Sequence, residues 1–215
     1  MPKNIKISLL LIILFMASVL FLFINKLTTP RYLSAPELLA NGFYQYPEPK
    51  EFSEFKLITS NKNFMKEDLM QKWTLIYFGF TRCPAECPIA MSLMKGLYST
   101  LEAKNFNMQD KQVLLVTIDP ENDSASRVDE YAKAFNQSFI GARGDRPTLL
   151  SMATQFNVMA VEPPKMNNVS SIDHLGNHSN NILLINPDGK YVGFFRPPFD
   201  DKKFLLIYQS LVTPR

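Results

Sequence analysis

The sequence predicts an α/β fold, a mixed sheet flanked by helices, carried behind one membrane-spanning helix. Three observations lead there. Ile7 to Ile24 is an apolar run broken only by Ser8 and Ser18. Trp73–Phe80 and Gln112–Ile118 are continuous apolar, β-branched runs, the pattern of strands buried on both faces. Each is followed by a stretch of helical period, and the chain then closes on a hairpin and a last helix.

Residues 1–6 read as a short cytoplasmic N-terminus and 7–24 as a transmembrane signal-anchor helix. The run is 18 residues long, at the lower edge of the roughly 17–25 that span a bilayer. It exceeds the ~7–15 residues of a secretory h-region, and no A-x-A-like site follows it, so a cleaved signal peptide is the weaker reading. Lys3 and Lys6 precede the helix, and Lys26 and Arg31 follow it. The short N-terminal flank holds nothing to translocate, which places the N-terminus in the cytoplasm and the remainder outside. No Arg- and Ser-rich amphipathic presequence is seen. The expectation is therefore a bacterial inner (cytoplasmic) membrane, crossed once, with the soluble domain in the periplasm.

Residues 25–50 read as a tether, with Pro30, Pro36, Pro47, Pro49 and an Asn41-Gly42 turn. Its aromatic cluster Phe43, Tyr44 and Tyr46 would pack on the domain edge. Residues 51–215 form the domain. Phe52–Ile58 alternates as a strand. After Trp73–Phe80, Ile89, Met91, Leu93, Met94, Leu97, Tyr98 and Leu101 recur at helical spacing. Gln112–Ile118 ends at Asp119-Pro120. Ser126–Phe135 and the shorter Thr148–Phe156 read as helices. Asn181–Ile185 and Tyr191–Phe195 pair across a Pro187-Asp188-Gly189 turn, and Asp200–Leu211 is the closing helix. This is the order of a thioredoxin-like fold with a C-terminal β-hairpin, an N-terminal extension and an insertion around 136–175.

The net charge of +3 belongs to the membrane flank. Four of the 23 basic residues and none of the 20 acidic ones precede Tyr32, which leaves 19 against 20 in the rest. With no basic tract of five or more, nucleic-acid binding has little support, and no nucleic-acid partner is expected.

Chemistry concentrates at Cys83 and Cys87, the two cysteines of the chain. They lie between the end of a buried strand and the start of a helix. A disulfide there would close three intervening residues, which removes little chain entropy and argues against a structural staple. Two functions remain: gripping a soft metal ion, or trading electrons as a dithiol and a disulfide. A helix N-terminus and Arg82 would favour the thiolate. Helical i, i+4 spacing sets Cβ atoms about 5–6 Å apart, against the ~3.5–4.5 Å of a relaxed disulfide. The spacing leans towards metal. Two thiolates suit Cu(I) and do not complete a structural zinc site. The two histidines are His174 and His178. Both precede the Asn181 strand, in the loop that a thioredoxin-like sheet sets beside the cysteine turn. His178 is the candidate third ligand; His174 reads as a solvated loop residue.

Gly79-Phe80-Thr81-Arg82-Cys83-Pro84-Ala85-Glu86-Cys87-Pro88 resembles the cysteine motif of the SCO/SenC proteins. Thr117-Ile118-Asp119-Pro120-Glu121-Asn122-Asp123 resembles that family's acidic segment. His178-Ser179, followed by Ile182–Ile185 and Pro187-Asp188-Gly189, resembles its histidine motif. The resemblance covers roughly residues 51–212 and implies a membrane-anchored, thioredoxin-fold copper protein needed to assemble cytochrome c oxidase. It implies Cys83, Cys87 and His178 as ligands of Cu(I) or Cu(II), and Asp119 as an acidic neighbour that orients the site or tunes its charge. An aspartate before Pro120 is also an ordinary turn or N-cap residue. Arg82, Ala85 and Asn177 depart from residues common in the family and change local charge without removing a ligand.

The implied function is a copper metallochaperone, not an enzyme. Its partners would be the copper-bearing oxidase subunit or another copper acceptor, and a periplasmic thiol reductase or copper donor. A thiol–disulfide oxidoreductase using the Cys83–Cys87 pair as its redox centre is the alternative. A peroxiredoxin-like peroxidase lacks its T-x-x-C spacing here. The methionines, among them Met91 and Met94, form no M-x-x-M cluster and read as core. Phe194-Phe195-Arg196-Pro197-Pro198-Phe199 reads as either a docking surface or a packed loop.

Overall fold

The structure, a computed structural model, describes residues 3–28, 32–158 and 180–213. The elements in chain order begin with helix α1 (Lys3–Thr28), helix α2 (Ala35–Ala40) and strands β1 (Phe43–Lys50), β2 (Lys56–Ile58) and β3 (Asn63–Met65). Strand β4 (Trp73–Gly79), helix α3 (Glu86–Ala103), strand β5 (Lys111–Thr117), helix α4 (Ala125–Phe135) and strand β6 (Ile140–Ala142) follow. Helix α5 (Arg146–Gln155), strands β7 (Ile182–Ile185) and β8 (Tyr191–Phe195), and helix α6 (Asp201–Val212) complete the fold. In α1, Ile7–Lys26 is exposed throughout, and among the described residues it is the one helical stretch long and apolar enough to cross a membrane.

Six strands form one sheet in the order β1-β8-β7-β4-β5-β6. Strands β4, β5 and β6 are parallel, and β7, β8 and β1 add antiparallel neighbours. Both faces are covered, which is why β4 and β5 are written as unbroken apolar runs. Successive side chains alternate between the faces. Leu75, Tyr77, Val113 and Leu115 meet Met91, Met94 and Leu97 of α3, Val128 and Ala132 of α4, and Phe204 and Ile207 of α6. Ile76, Phe78, Leu114 and Val116 meet Leu149 and Met152 of α5, together with Phe52, Phe55, Leu57 and Phe64. Met91 and Met94 are fully buried, as a core reading requires.

The tether expected over 25–50 is corrected by its own second half. Phe43 is fully buried and meets Phe195 edge-on at 4.7 Å between ring centroids. Tyr44 stacks on Phe194 at 5.3 Å, and the Leu33 N–H donates to Ser210 Oγ at 2.6 Å. The folded unit therefore starts at Leu33, and residues 43–50 are its edge strand. Pro47 and Pro49 looked like tether residues, but an edge strand tolerates a missing donor, and the register with β8 breaks between Gln45 and Lys50. The strand expected over Phe52–Ile58 shortens to Lys56–Ile58, paired with β3 in a separate two-stranded hairpin. Phe52 and Phe55 are buried three positions apart, a spacing that one pleated strand cannot turn to one face. The expected insertion contributes β6, α5, Phe139, Phe156 and Val158 to the core; residues 159–179, with His174 and His178, lie outside the described residues.

One buried carboxylate joins three of these pieces. Asp129 of α4 accepts from Lys133 Nζ at 2.7 Å, from the Gly141 N–H at 3.2 Å and from Ser60 Oγ. The contact needs glycine at 141, because a Cβ there would lie 2.2 Å from the Val128 carbonyl oxygen. Burial pushes the Asp129 pKa up, but the bonds from Lys133, Ser60 and Gly141 outweigh it and hold the carboxyl below its ordinary value. A depressed folded-state pKa gives stability that is complete above the ordinary value of about 4. It is lost as pH falls through the lower folded-state value. Asp129→Asn is therefore expected to cost about 1–3 kcal/mol at pH 7. Denaturant unfolding across pH checks this: the gap between the two proteins holds at neutral pH and closes in acid below about pH 4.

Candidate metal centre

The cysteines sit where β4 hands over to α3. Gly79 ends the strand, and a Cβ there would fall 2.8 Å from Cys87 Sγ, so the sulfur occupies space that only glycine leaves. The loop turns back at once, with the Cys83 N–H donating to the Phe80 carbonyl at 3.2 Å. Helix α3 then starts at Glu86 with no side-chain oxygen at its cap residue Ala85. The Cys83 sulfur takes that place, accepting the Cys87 N–H at 3.3 Å. Cys83 also lies 3.7 Å from Glu86 Oε2, to which its thiol donates. Pro88 falls in the first turn, where a missing N–H costs nothing.

Both cysteines are thiols in this structure, 6% and 0% exposed respectively. The helix N-terminus was expected to lower their pKa values. For Cys87 the opposite holds: its hydrogen bond with Cys83, then burial, push the thiol far above the ordinary range. The Phe80 N–H and the Tyr77 hydroxyl pull the other way and are outweighed. Cys87 therefore keeps its proton until something stronger displaces it. Tyr77, its own pKa raised by burial first and by the sulfurs second, also donates to Asn180 Oδ1 at 3.4 Å.

The loop in front of Cys83 is gripped by two aspartates from the turn between β5 and α4. Asp123, 1% exposed, accepts the Thr81 N–H at 2.9 Å, the Thr81 hydroxyl at 2.5 Å and the Thr117 hydroxyl at 2.8 Å. Asp119 accepts Arg82 Nη2 at 2.5 Å and Asn122 Nδ2 at 2.8 Å. Its own N–H donates to Thr117 Oγ1 at 3.0 Å. Successive residues 81 and 82 are thus held by carboxylates four positions apart. Sequence reasoning singled out Asp119 and passed over Asp123, although the Asp119-to-Asp123 spacing was visible. Tyr131 of α4 was missed too. It packs against the same core as the cysteines, and its buried hydroxyl has no hydrogen-bond partner among the described residues.

The structure sets Cys83 against Cys87, and Arg82, next in sequence to Cys83, against Asp119. His178 lies outside the described residues, and among those described no three His, Cys, Asp or Glu side chains converge as a metal cluster. The donors in view are two soft sulfurs, one of them nearly sealed, which fit a thiophilic ion of low coordination number. Phe195 is buried and Phe199 packs on the core, so the Phe194–Phe199 stretch is in part a packed loop. Phe199 also lines a groove of about 380 Å³ with Pro88 and Ile89.

Residues 45–212 match the family model described as SCO1/SenC. The mitochondrial SCO2 homolog of Danio rerio is 32% identical over 130 residues, 60% of this chain and 45% of that protein. The chain thus spans about half the length of such mitochondrial relatives. An SCO2-like protein of Rickettsia felis is 31% identical over 66% of this chain and 67% of its own length. Among solved structures, yeast Sco1 with copper bound superposes with a TM-score of 0.67 at 26% identity, covering 78% of this chain and 91% of that one.

The grip on the loop is testable. Asp123→Ala leaves the Thr81 N–H and two hydroxyls without their acceptor and is expected to cost about 2 kcal/mol. Alkylation of the reduced protein by iodoacetamide should then modify Cys83 faster than in the unaltered chain, read by mass spectrometry under conditions where both remain folded.

Proposed function

Because the chain belongs to the SCO1/SenC family, whose members are copper-binding cytochrome c oxidase assembly proteins, we propose that it is a membrane-anchored copper metallochaperone. It takes copper on Cys83 and Cys87, with His178 as third ligand, and passes it to the binuclear copper site of an oxidase subunit. The observation that carries the reading is the pair itself: two thiols linked by the Cys87 N–H to Cys83 Sγ bond, at the mouth of a buried strand.

The third ligand is supported by chain reach. Asn180 touches the Tyr77 hydroxyl, which lies against the Cys87 sulfur. Residue 178 is two peptide units earlier, a span of at most about 7 Å. Copper binding requires both sulfurs as thiolates, so loading expels the Cys87 proton that burial and Cys83 otherwise retain. Transfer proceeds by ligand exchange, the acceptor's ligands replacing these one at a time. The same burial counts against a thiol–disulfide oxidoreductase, which needs an accessible low-pKa thiolate as nucleophile. Apolar Ile7–Lys26 supports the anchor, and the short N-terminal flank, with nothing to translocate, favours the domain on the periplasmic side.

Anaerobic titration of the reduced full chain with Cu(I), against a chromogenic chelator, tests this. One copper per chain is expected, with affinity falling at least about tenfold in Cys87→Ser and in His178→Ala. Unchanged affinity in His178→Ala would remove the histidine from the site. Disulfide-reductase turnover that survives in that variant, with no copper uptake, would favour the oxidoreductase instead.

A further inference from the structure

Asp119 is held against Arg82, the residue before Cys83, and its carboxylate is spoken for. One oxygen takes Arg82 Nη2 at 2.5 Å and the other takes Asn122 Nδ2 at 2.8 Å. The side chain of Asp119 is 3% exposed and that of Arg82 36%. A carboxylate so enclosed is not offered to a metal ion, and Arg82, adjacent in sequence to Cys83, cancels its charge.

That cancellation matters because the two copper states differ by one charge at the same sulfurs. Two thiolates with Cu(I) carry −1 and with Cu(II) carry zero, and an imidazole adds nothing. Each added negative charge nearby weakens the Cu(I) form more than the Cu(II) form, strongly so where water is scarce. A released carboxylate oxygen, a hard donor, would act in the same direction by favouring Cu(II).

We propose that Arg82 selects the copper oxidation state: by holding and neutralising Asp119 it tilts the site towards Cu(I). The proposal rests on the copper reading above and assigns Arg82 a specificity role without making it a ligand. The charge of the pair is zero in the native protein, −1 in Arg82→Gln, +1 in Asp119→Asn and zero again in the double variant. The preference for Cu(I) over Cu(II) follows that order.

The test measures both affinities on the reduced full chain in detergent, by anaerobic competition with a Cu(I) chelator and by competition with a Cu(II) chelator. The ratio of Cu(I) to Cu(II) affinity is expected to fall about tenfold in Arg82→Gln and to rise about tenfold in Asp119→Asn. For a one-electron couple each tenfold is about 59 mV. The double variant should return to the native ratio. Arg82→Lys, which keeps the charge, should stay near it and covers the case in which Arg82→Gln disturbs the loop. Electron paramagnetic resonance of the Cu(II) form should show new oxygen coordination in Arg82→Gln alone. A merely structural ion pair would move the ratio the same way in both single variants, or leave it unmoved, and either result overturns the proposal. Failure of the unaltered chain to take up copper overturns the copper reading and this proposal together. Uptake with an unmoved ratio overturns this proposal alone.

Discussion

The cysteine site depends on the grip of one turn on another. Asp119 and Asp123 leave β5 four residues apart and close on Arg82 and Thr81. Each is almost completely buried, and each buried oxygen in the pair finds a donor, as low-dielectric surroundings demand. The parallel pairing of β4 and β5 makes the contact possible, since it ends both strands at one edge in the register Gly79–Thr117. Thr117 then serves both aspartates, donating its hydroxyl to Asp123 and accepting the Asp119 N–H. The position of Cys83 follows from its two predecessors and that of Cys87 from the start of α3, so the sulfurs inherit the rigidity of the sheet.

The sulfurs are poised in an unusual sense. Their surroundings disfavour the doubly deprotonated state, because Cys87 is sealed and shares a hydrogen bond with Cys83. A positive ion relieves that penalty and a small molecule in search of a nucleophile does not. The same burial that would slow thiol exchange suits the pair to an ion that brings its own charge.

Much of this was legible in the sequence. The buried strands Trp73–Gly79 and Lys111–Thr117 announced themselves because both their faces are covered, and the hairpin announced itself through Pro187-Asp188-Gly189. The edge strand Phe43–Lys50 did not, because two prolines mask it and its aromatic partners Phe194 and Phe195 lie some 150 residues away, a separation that local pattern does not register. The cysteines and Asp119 could be named from motif. The role of Asp123 could not, since a turn aspartate and a buried anchor look alike until the strand pairing is known. The thiol shift was misjudged for a related reason: proximity to a helix end is readable, whereas burial against a second sulfur is a tertiary fact.

The early start of the fold at Leu33 has a mechanical consequence. Only residues 27–32 separate the apolar stretch Ile7–Lys26 from a backbone amide fastened to Ser210 near the end of α6. That leash reaches about 24 Å at most when fully extended. Helix α6 begins beside Pro88 and Ile89 at the cysteine end and runs roughly 14 Å to Ser210 at the usual helical rise. The chain is therefore fastened about one helix length from the end of α6 that meets Pro88 and Ile89. If α1 is held in a bilayer, as proposed above, so short a leash keeps the domain close to the membrane surface. An acceptor in that same membrane would then meet the sulfurs at a raised effective concentration.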